Sequence, residues 1–358
     1  MKIHNFSAGP CILPKEVMKK AASAAIEFAD SGLSILEMSH RSKHFVEVMD
    51  NAVALVKELL SVPSDYEVLF LQGGASLQFT MTVQNLLPVN GKVAFLDTGV
   101  WASKAIKEAQ LYGEVEVIAS SKDQNYNYIP SSYEVPSDSS YLHFTSNNTI
   151  YGTQFKQFPS TDVGLVVDMS SDIFSRQINV ADFDLIYAGA QKNIGPAGTT
   201  VVILKKDILG KTSRVIPTML KYQTHIEKES MFNTPPCFSI YVCMLNLEWV
   251  KEQGGVVAME KRNAEKAELL YQEIERNSLF EGTAKKEDRS YMNPTFVMKD
   301  DSLSAEFLKF SEEKGISGIK GHRSVGGFRA SMYNALTVDS VQQLVNAMNE
   351  FERMKSAL

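Results

Sequence analysis

The sequence is short of cysteine, positive charge and long apolar runs, and each shortage removes a class of function. Its three cysteines, Cys11, Cys237 and Cys243, cannot all pair and show no metal-ligand spacing. That argues for a reducing compartment and against a disulfide scaffold or a zinc site. The six histidines include no H-E-x-x-H pair, which removes the common metalloprotease reading. No apolar stretch approaches the roughly 20 residues of a membrane span. The N-terminus, M-K-I-H-N-F-S-A-G-P-C-I-L-P, has no long apolar core followed by a cleavage site. A formal net charge of -6 at pH 7 disfavours nucleic acid or an anionic membrane as main partner. Neither G-x-G-x-x-G nor a Walker loop occurs, so nicotinamide and nucleoside triphosphate readings lose support. The expectation is a cytoplasmic protein acting on small molecules.

What is present is globular in character: 358 residues, 44% hydrophobic and 22% charged, enough for about two domains. Helical spacing runs from Pro14 to about Asp30 and again through Leu60. Strands are expected at Tyr66–Leu71, Lys92–Leu96, Val115–Ala119, Tyr141–Thr145, Val163–Val167, Leu185–Tyr187 and Thr199–Leu204, with helices over Leu77–Leu87 and Trp101–Tyr112 between them. Such alternation implies right-handed crossovers and a mostly parallel seven-stranded sheet with helices on both faces. Long helices over Ser239–Gln253 and Gly255–Asn277 lead to a smaller α+β domain. The expected division is an extended segment 1–15, a large domain 16–258 and a small domain 259–358.

The chemistry centres on Asp184–Leu204, D-L-I-Y-A-G-A-Q-K-N-I-G-P-A-G-T-T-V-V-I-L. Lys192 sits in a glycine-rich turn between two apolar strands. It could snorkel to solvent from an ordinary hairpin. It could also be held in a cleft where desolvation lowers its pKa and makes it a carbonyl-binding amine. Upstream, V-G-L-V-V ends in Asp168, a strand-end acid. An acid and a lysine at the ends of two such strands suit pyridoxal phosphate (PLP), one at the pyridinium nitrogen and the other at the aldehyde carbon.

Other polar candidates share that edge. Gly73-Gly74-Ala75-Ser76 joins a strand to a helix and can cradle a phosphate. Trp101 stands just beyond a strand end, as a core anchor or as a flat surface for stacking. Thr149 follows another strand. In open α/β sheets, ligands bind at this carboxyl edge. Two basic clusters remain: His40-Arg41 before the second helix, and G-H-R-S-V-G-G-F-R-A-S with His322, Arg323 and Arg329. Each reads as a solvated loop or as an anion grip.

Together, N-F-S-A-G-P-C-I-L-P, S-H-R-S-K, Q-G-G-A-S-L-Q-F, D-T-G-V-W, D-M-S-S-D, A-Q-K-N-I-G-P-A-G, F-N-T-P-P and G-H-R-S-V-G-G-F-R-A-S-M-Y-N-A stand in the order found in one family. Across essentially its whole length the chain resembles the phosphoserine aminotransferases, class V members of the PLP-dependent fold type I. The resemblance implies a homodimer with shared active sites, moving an amino group from L-glutamate to 3-phosphohydroxypyruvate in serine biosynthesis. The phosphorylated hydroxythreonine precursor of pyridoxine would be a second substrate. It assigns Lys192 the covalent link to PLP and the proton shuttle, Asp168 the ring nitrogen and Trp101 the stacking. Thr149 would lie beside the ring, with Ala75, Ser76 and Gln191 at the cofactor phosphate. Asn233 and Thr234 would reach over from the second subunit. His40 and Arg41, with His322 and Arg323 from across the interface, would receive the substrate phosphate, and Arg329 the α-carboxylate. Many members carry arginine where this chain has Ser76, so one phosphate contact is expected to be absent. A glyoxylate or alanine transaminase would need fewer cations. A cysteine desulfurase would need a small-domain cysteine, and none follows Cys243. A non-catalytic PLP-fold protein would have lost Lys192 or Asp168.

Overall fold

The computed structural model describes residues 2–356. In chain order the elements are β1 (His4–Asn5), α1 (Lys15–Ile26), α2 (Lys43–Leu59), β2 (Tyr66–Leu71), α3 (Gly74–Leu86), β3 (Lys92–Asp97), α4 (Val100–Ala109) and β4 (Glu114–Ser120). Next come β5 (Ser139–Thr145), β6 (Asn147–Asn148), β7 (Thr153–Gln154), β8 (Gly164–Asp168), β9 (Leu185–Gly189) and β10 (Thr200–Lys205). The remainder is α5 (Tyr222–Glu227), α6 (Cys237–Glu252), α7 (Gly255–Arg276), β11 (Phe280–Gly282), β12 (Thr295–Met298), α8 (Ser304–Glu313), β13 (Ile316–Ser317), β14 (Phe328–Arg329) and α9 (Val338–Ser356).

Seven strands form one sheet in the order β2-β10-β9-β8-β5-β3-β4. β3, β4, β5, β8 and β9 pair in parallel, while β10 runs antiparallel to both β9 and β2. The central strands carry apolar runs, as burial on both faces requires; all of β9, L-I-Y-A-G, is buried. One face is covered by α1, α2 and α6, which share a core of Phe45, Met49, Phe144, Val167, Ile203 and Leu247. The other is covered by α3 and α4, over Phe79, Phe95, Tyr141 and Tyr187. This is the mostly parallel, doubly covered sheet that the alternating pattern implies.

A second core forms around Phe280, Phe296, Phe307, Phe328 and Phe351, whose rings pack largely edge to face. Helix α7 serves both cores, with Met259 in the first and Ala267 in the second. The N-terminal stretch also belongs to the second core. β1 pairs in parallel with β13, and Phe6 is fully buried.

Several boundaries differ from those expected of the sequence. α1 stops at Ile26 rather than near Asp30: Glu27 is already extended, with φ -148° and ψ 133°, and Ala29 and Asp30 then turn the chain with φ of 54° and 51°. α3 starts at Gly74, three residues early. Gly73 holds φ 91°, and a Cβ there would sit 2.6 Å from that of Leu77, so only glycine makes this tight strand-to-helix turn. In the smaller part, β13 and β14 are only pairs of residues.

Gly152 marks the contact between the two parts. Its φ is 74°, and a Cβ would overlap Thr295 Oγ1 and lie 2.9 Å from the Asn293 carbonyl. Gly152→Ala should therefore destabilise the protein by about 2–4 kcal/mol through backbone strain and overpacking. Urea unfolding should show a lower midpoint at an unchanged slope; an unaltered midpoint would refute this account of the junction.

Candidate active site

The sheet's carboxyl edge opens into a cavity of about 140 Å³ lined by Ala75, Ser76, Trp101, Thr149, Asp168, Gln191 and Lys192. These residues come from the ends of separate strands and from the N-terminus of α3. The early start of α3 places Ala75 and Ser76 in its first turn, where backbone N–H groups lack intrahelical acceptors.

The Lys192 loop is pinned by its backbone. The Ala190 carbonyl accepts the N–H groups of Lys192, Ile194 and Gly195 at 2.7, 3.2 and 2.7 Å. The Asn246 amide donates to the carbonyls of Asn193 and Ile194 at 2.9 and 3.0 Å. Asn193 Oδ1 accepts the Asn334 N–H at 3.0 Å, and the Cys11 thiol donates to the Lys192 carbonyl at 2.7 Å. The side chain opens into the cavity, where Nζ donates to Thr149 Oγ1 at 3.0 Å. Burial pushes the Lys192 pKa down to about 8; Asp168 opposes this and Arg329 reinforces it.

Asp168 ends β8, is 5% exposed, and accepts the Ser170 N–H at 2.9 Å. Burial raises its pKa, against the lowering effects of Ser170 and Lys192. Among the described residues it forms no ion pair with Lys192 within 4.0 Å. The neighbouring acid Asp172 is different. It accepts from Ser146 Oγ, from Gln154 Nε2 at 3.1 Å and from Arg176 at 3.2 Å. Asp172 is therefore already neutralised, whereas Asp168 is a buried acid with no adjacent cation, facing a cavity.

Trp101 follows the first residue of α4, and its indole N–H is buried without an acceptor. Phe79, Thr145, Asn147, Ser170 and Ser171 also line the cavity, and sequence reasoning misses them. The signal they carry is adjacency to strand ends, most plainly in D-M-S-S-D.

The remaining candidates lie outside this lining. Asn233 and Thr234 are exposed, with the Thr234 carbonyl accepting from Gln72 Nε2 at 3.1 Å. Arg41 is exposed and His40 half-buried, its Nε2 buried without a partner. His322 and Arg323 sit on a loop whose Val325 packs against Tyr126, Ile150 and Tyr151 of the same chain, the cluster on which Val100 and Trp101 also pack. In this chain the loop therefore lies beside its own Trp101, where the resemblance implied an approach from across the interface. Arg329, on β14, has a buried Nε with no partner.

A lysine and a buried acid at one cavity on such a sheet suit a transaminase, and comparison with known proteins gives that class. The chain belongs to the class-V aminotransferase family, whose profile matches residues 3–344. It is 61% identical to the phosphoserine aminotransferase of Flavobacterium psychrophilum over 98% of this chain and 99% of that one. Among solved structures it resembles phosphoserine aminotransferase from Bacillus circulans subsp. alkalophilus, with 44% identity, TM-score 0.96 and 99% of each chain covered. It also resembles the PLP-bound phosphoserine aminotransferase of Trichomonas vaginalis, at 37% identity and TM-score 0.93 over 97% of this chain and 100% of that one.

The depressed pKa makes a kinetic prediction for the protein without cofactor. Only the neutral amine is nucleophilic, so Lys192 should react with small aldehydes half-maximally near pH 8 and level off above it. An ordinary lysine keeps gaining reactivity to about pH 10.4. Reductive methylation followed by site-resolved mass spectrometry reads this directly; a Lys192 profile matching surface lysines would refute the desolvated environment.

Proposed function

We propose that the protein is a phosphoserine transaminase. It uses PLP to move the amino group of L-glutamate to 3-phosphohydroxypyruvate, giving O-phospho-L-serine and 2-oxoglutarate. The observation that carries this is the pairing of Lys192 and Asp168 at one cavity, with neither neutralised by another side chain.

The residues present fit the cofactor. A buried acid whose carboxylate is disfavoured by desolvation gains most from a cation placed against it, and a protonated ring nitrogen is such a cation. The first turn of α3, with Ala75 and Ser76, suits a phosphate, as does Gln191 nearby. Trp101 offers its ring as a cover for one face. PLP, when bound, supplies the electron sink that makes the substrate Cα–H acidic. The chain supplies the rest. Lys192 Nζ, close to half neutral near pH 8, carries the proton away from the substrate Cα and returns it, with Thr149 Oγ1 fixing its direction. Asp168 holds the ring nitrogen protonated. Arg329, its Nε without a partner, takes the α-carboxylate bidentately. His40, Arg41, His322 and Arg323 receive the phosphate, or the side-chain carboxylate of glutamate in the other half-reaction.

We infer a homodimer in which Asn233 and Thr234, exposed on their own chain, complete the partner's cofactor site. We place the domain boundary in α7, near residue 259, since that helix passes from one core to the other. A cytoplasmic setting agrees with three free thiols. The phosphorylated hydroxythreonine of pyridoxine synthesis offers the same phosphate and α-amino acid chemistry as a second substrate.

The test is half-reaction kinetics on the holoenzyme. L-glutamate and O-phospho-L-serine should convert the bound cofactor at least about 100-fold more efficiently than L-alanine, because the distal anion contributes charge-assisted bonds. Alanine turnover equal to that of phosphoserine would sink the substrate assignment. Lys192→Ala should abolish turnover. Asp168→Asn should lower kcat by roughly 10²–10³ by removing an electrostatic stabiliser; near-wild-type rates in either variant would overturn the role of the residue replaced.

A further inference from the structure

Most cations at the site mouth already have a place in the transaminase reading, but Lys104 does not. It lies on α4 one turn after Trp101, with Nζ 4.5 Å from the centroid of the indole, and is exposed. The loop bearing His322 is brought to the same helix. Gly321 N–H bonds the Gly327 carbonyl at 2.8 Å and closes the loop's base. At the tip, the N–H groups of Val325 and Gly326 both bond the His322 carbonyl, at 2.9 and 2.8 Å. Val325 then packs on the cluster of Tyr126, Ile150 and Tyr151, against which Val100 and Trp101 of α4 also pack.

So held, His322 senses Arg329, Arg323 and Lys104, whose charges add to desolvation in lowering its pKa. The ion pairs formed among the described residues include none of the three cations Arg329, Arg323 and Lys104, nor His322. Glu108, one turn beyond Lys104, is not within bonding distance of it. Apolar packing of Val325 and the loop's own hydrogen bonds therefore gather like charges that repel one another. An incoming anion relieves that repulsion.

We propose that Lys104 is a specificity-determining residue of this site, an outer cation that works with His322 to receive the distal anionic group of the substrate. The proposal rests on the transaminase reading and names a contact that reading does not contain. Lys104 also lies over the Trp101 ring, so a mere brace for the indole must be separated from a charge that binds substrate.

The experiment compares holoenzyme variants Lys104→Met, Lys104→Glu and Lys104→Arg with wild type, using O-phospho-L-serine, L-glutamate and L-alanine. Lys104→Met keeps the aliphatic stem over the ring and removes the charge. It should raise KM for O-phospho-L-serine roughly three- to tenfold, the effect of one exposed charge, with kcat little changed. Lys104→Glu should raise it further, and Lys104→Arg should restore it to within about twofold. The loss should be smaller for alanine, which has no distal anion, and should shrink as salt rises toward a Debye length of about 3 Å at 1 M. Equal losses with all three amino acids would make Lys104 a brace only and overturn the proposal, as would unchanged KM in Lys104→Met and Lys104→Glu. A wild-type enzyme that failed to prefer O-phospho-L-serine over alanine would overturn the functional reading and this proposal together; intact preference with insensitive variants would overturn this proposal alone.

Discussion

The structure depends on keeping one half-buried amine and one buried carboxyl on the same cavity without letting them meet. Either group alone in a low-dielectric interior would cost several kcal/mol as an ion, and a direct ion pair would relieve both. Lys192 instead donates to Thr149 Oγ1, and Asp168 accepts a single backbone N–H. What prevents collapse is backbone rigidity. The Lys192 loop is tied to Ala190, Asn246, Asn334 and Cys11, while Asp168 is fixed in register between Thr145 and Tyr187. The strain of two unneutralised groups is thus held by hydrogen bonds made elsewhere.

A lowered lysine pKa alone would not single out this site. Lys266 is completely buried and pushed down to about 7 by desolvation and Arg262. Its ammonium, however, donates to the carbonyls of Met332 and Tyr333, both at 2.8 Å. It ties α7 to the segment following Arg329 and faces no opening. The acids divide likewise: Asp172 has Arg176 and two neutral donors, whereas Asp168 has a cavity in front of it. The distinguishing property is a buried charge whose missing partner has room to arrive.

Much of this is legible in the sequence because strand ends carry strong signals. V-G-L-V-V-D places an acid after an apolar run, and the glycines around Lys192 mark a turn, so the carboxyl edge can be drawn before any coordinates. The early start of α3 is not legible, because it turns on a clash between a hypothetical Gly73 Cβ and Leu77 that no periodicity encodes. The short strands of the second core are lost for another reason. β1 finds its partner β13 at the far end of the chain, and two-residue strands have no alternation to read. For the same reason the N-terminal stretch reads only as an extended segment, although Phe6 is fully buried in the second core.

The positive residues outside the cavity follow from an electrostatic requirement rather than from a motif. A protein of net charge -6 repels an acidic substrate at long range, so attraction must come from cations within about a Debye length of the site. Pairing those cations to surface carboxylates would cancel their field. The lysines and arginines elsewhere are commonly paired, as Lys314 is with Glu350 and Lys355 with Glu306. Among the described residues Lys104, Arg323 and Arg329 form no such pair, and Lys104 stands on a helix surface while Arg323 stands on a glycine-closed loop. That division suits two acids of unequal length at one reactive centre: backbone register fixes Asp168 at the sheet edge, while the outer cations stand on surface segments.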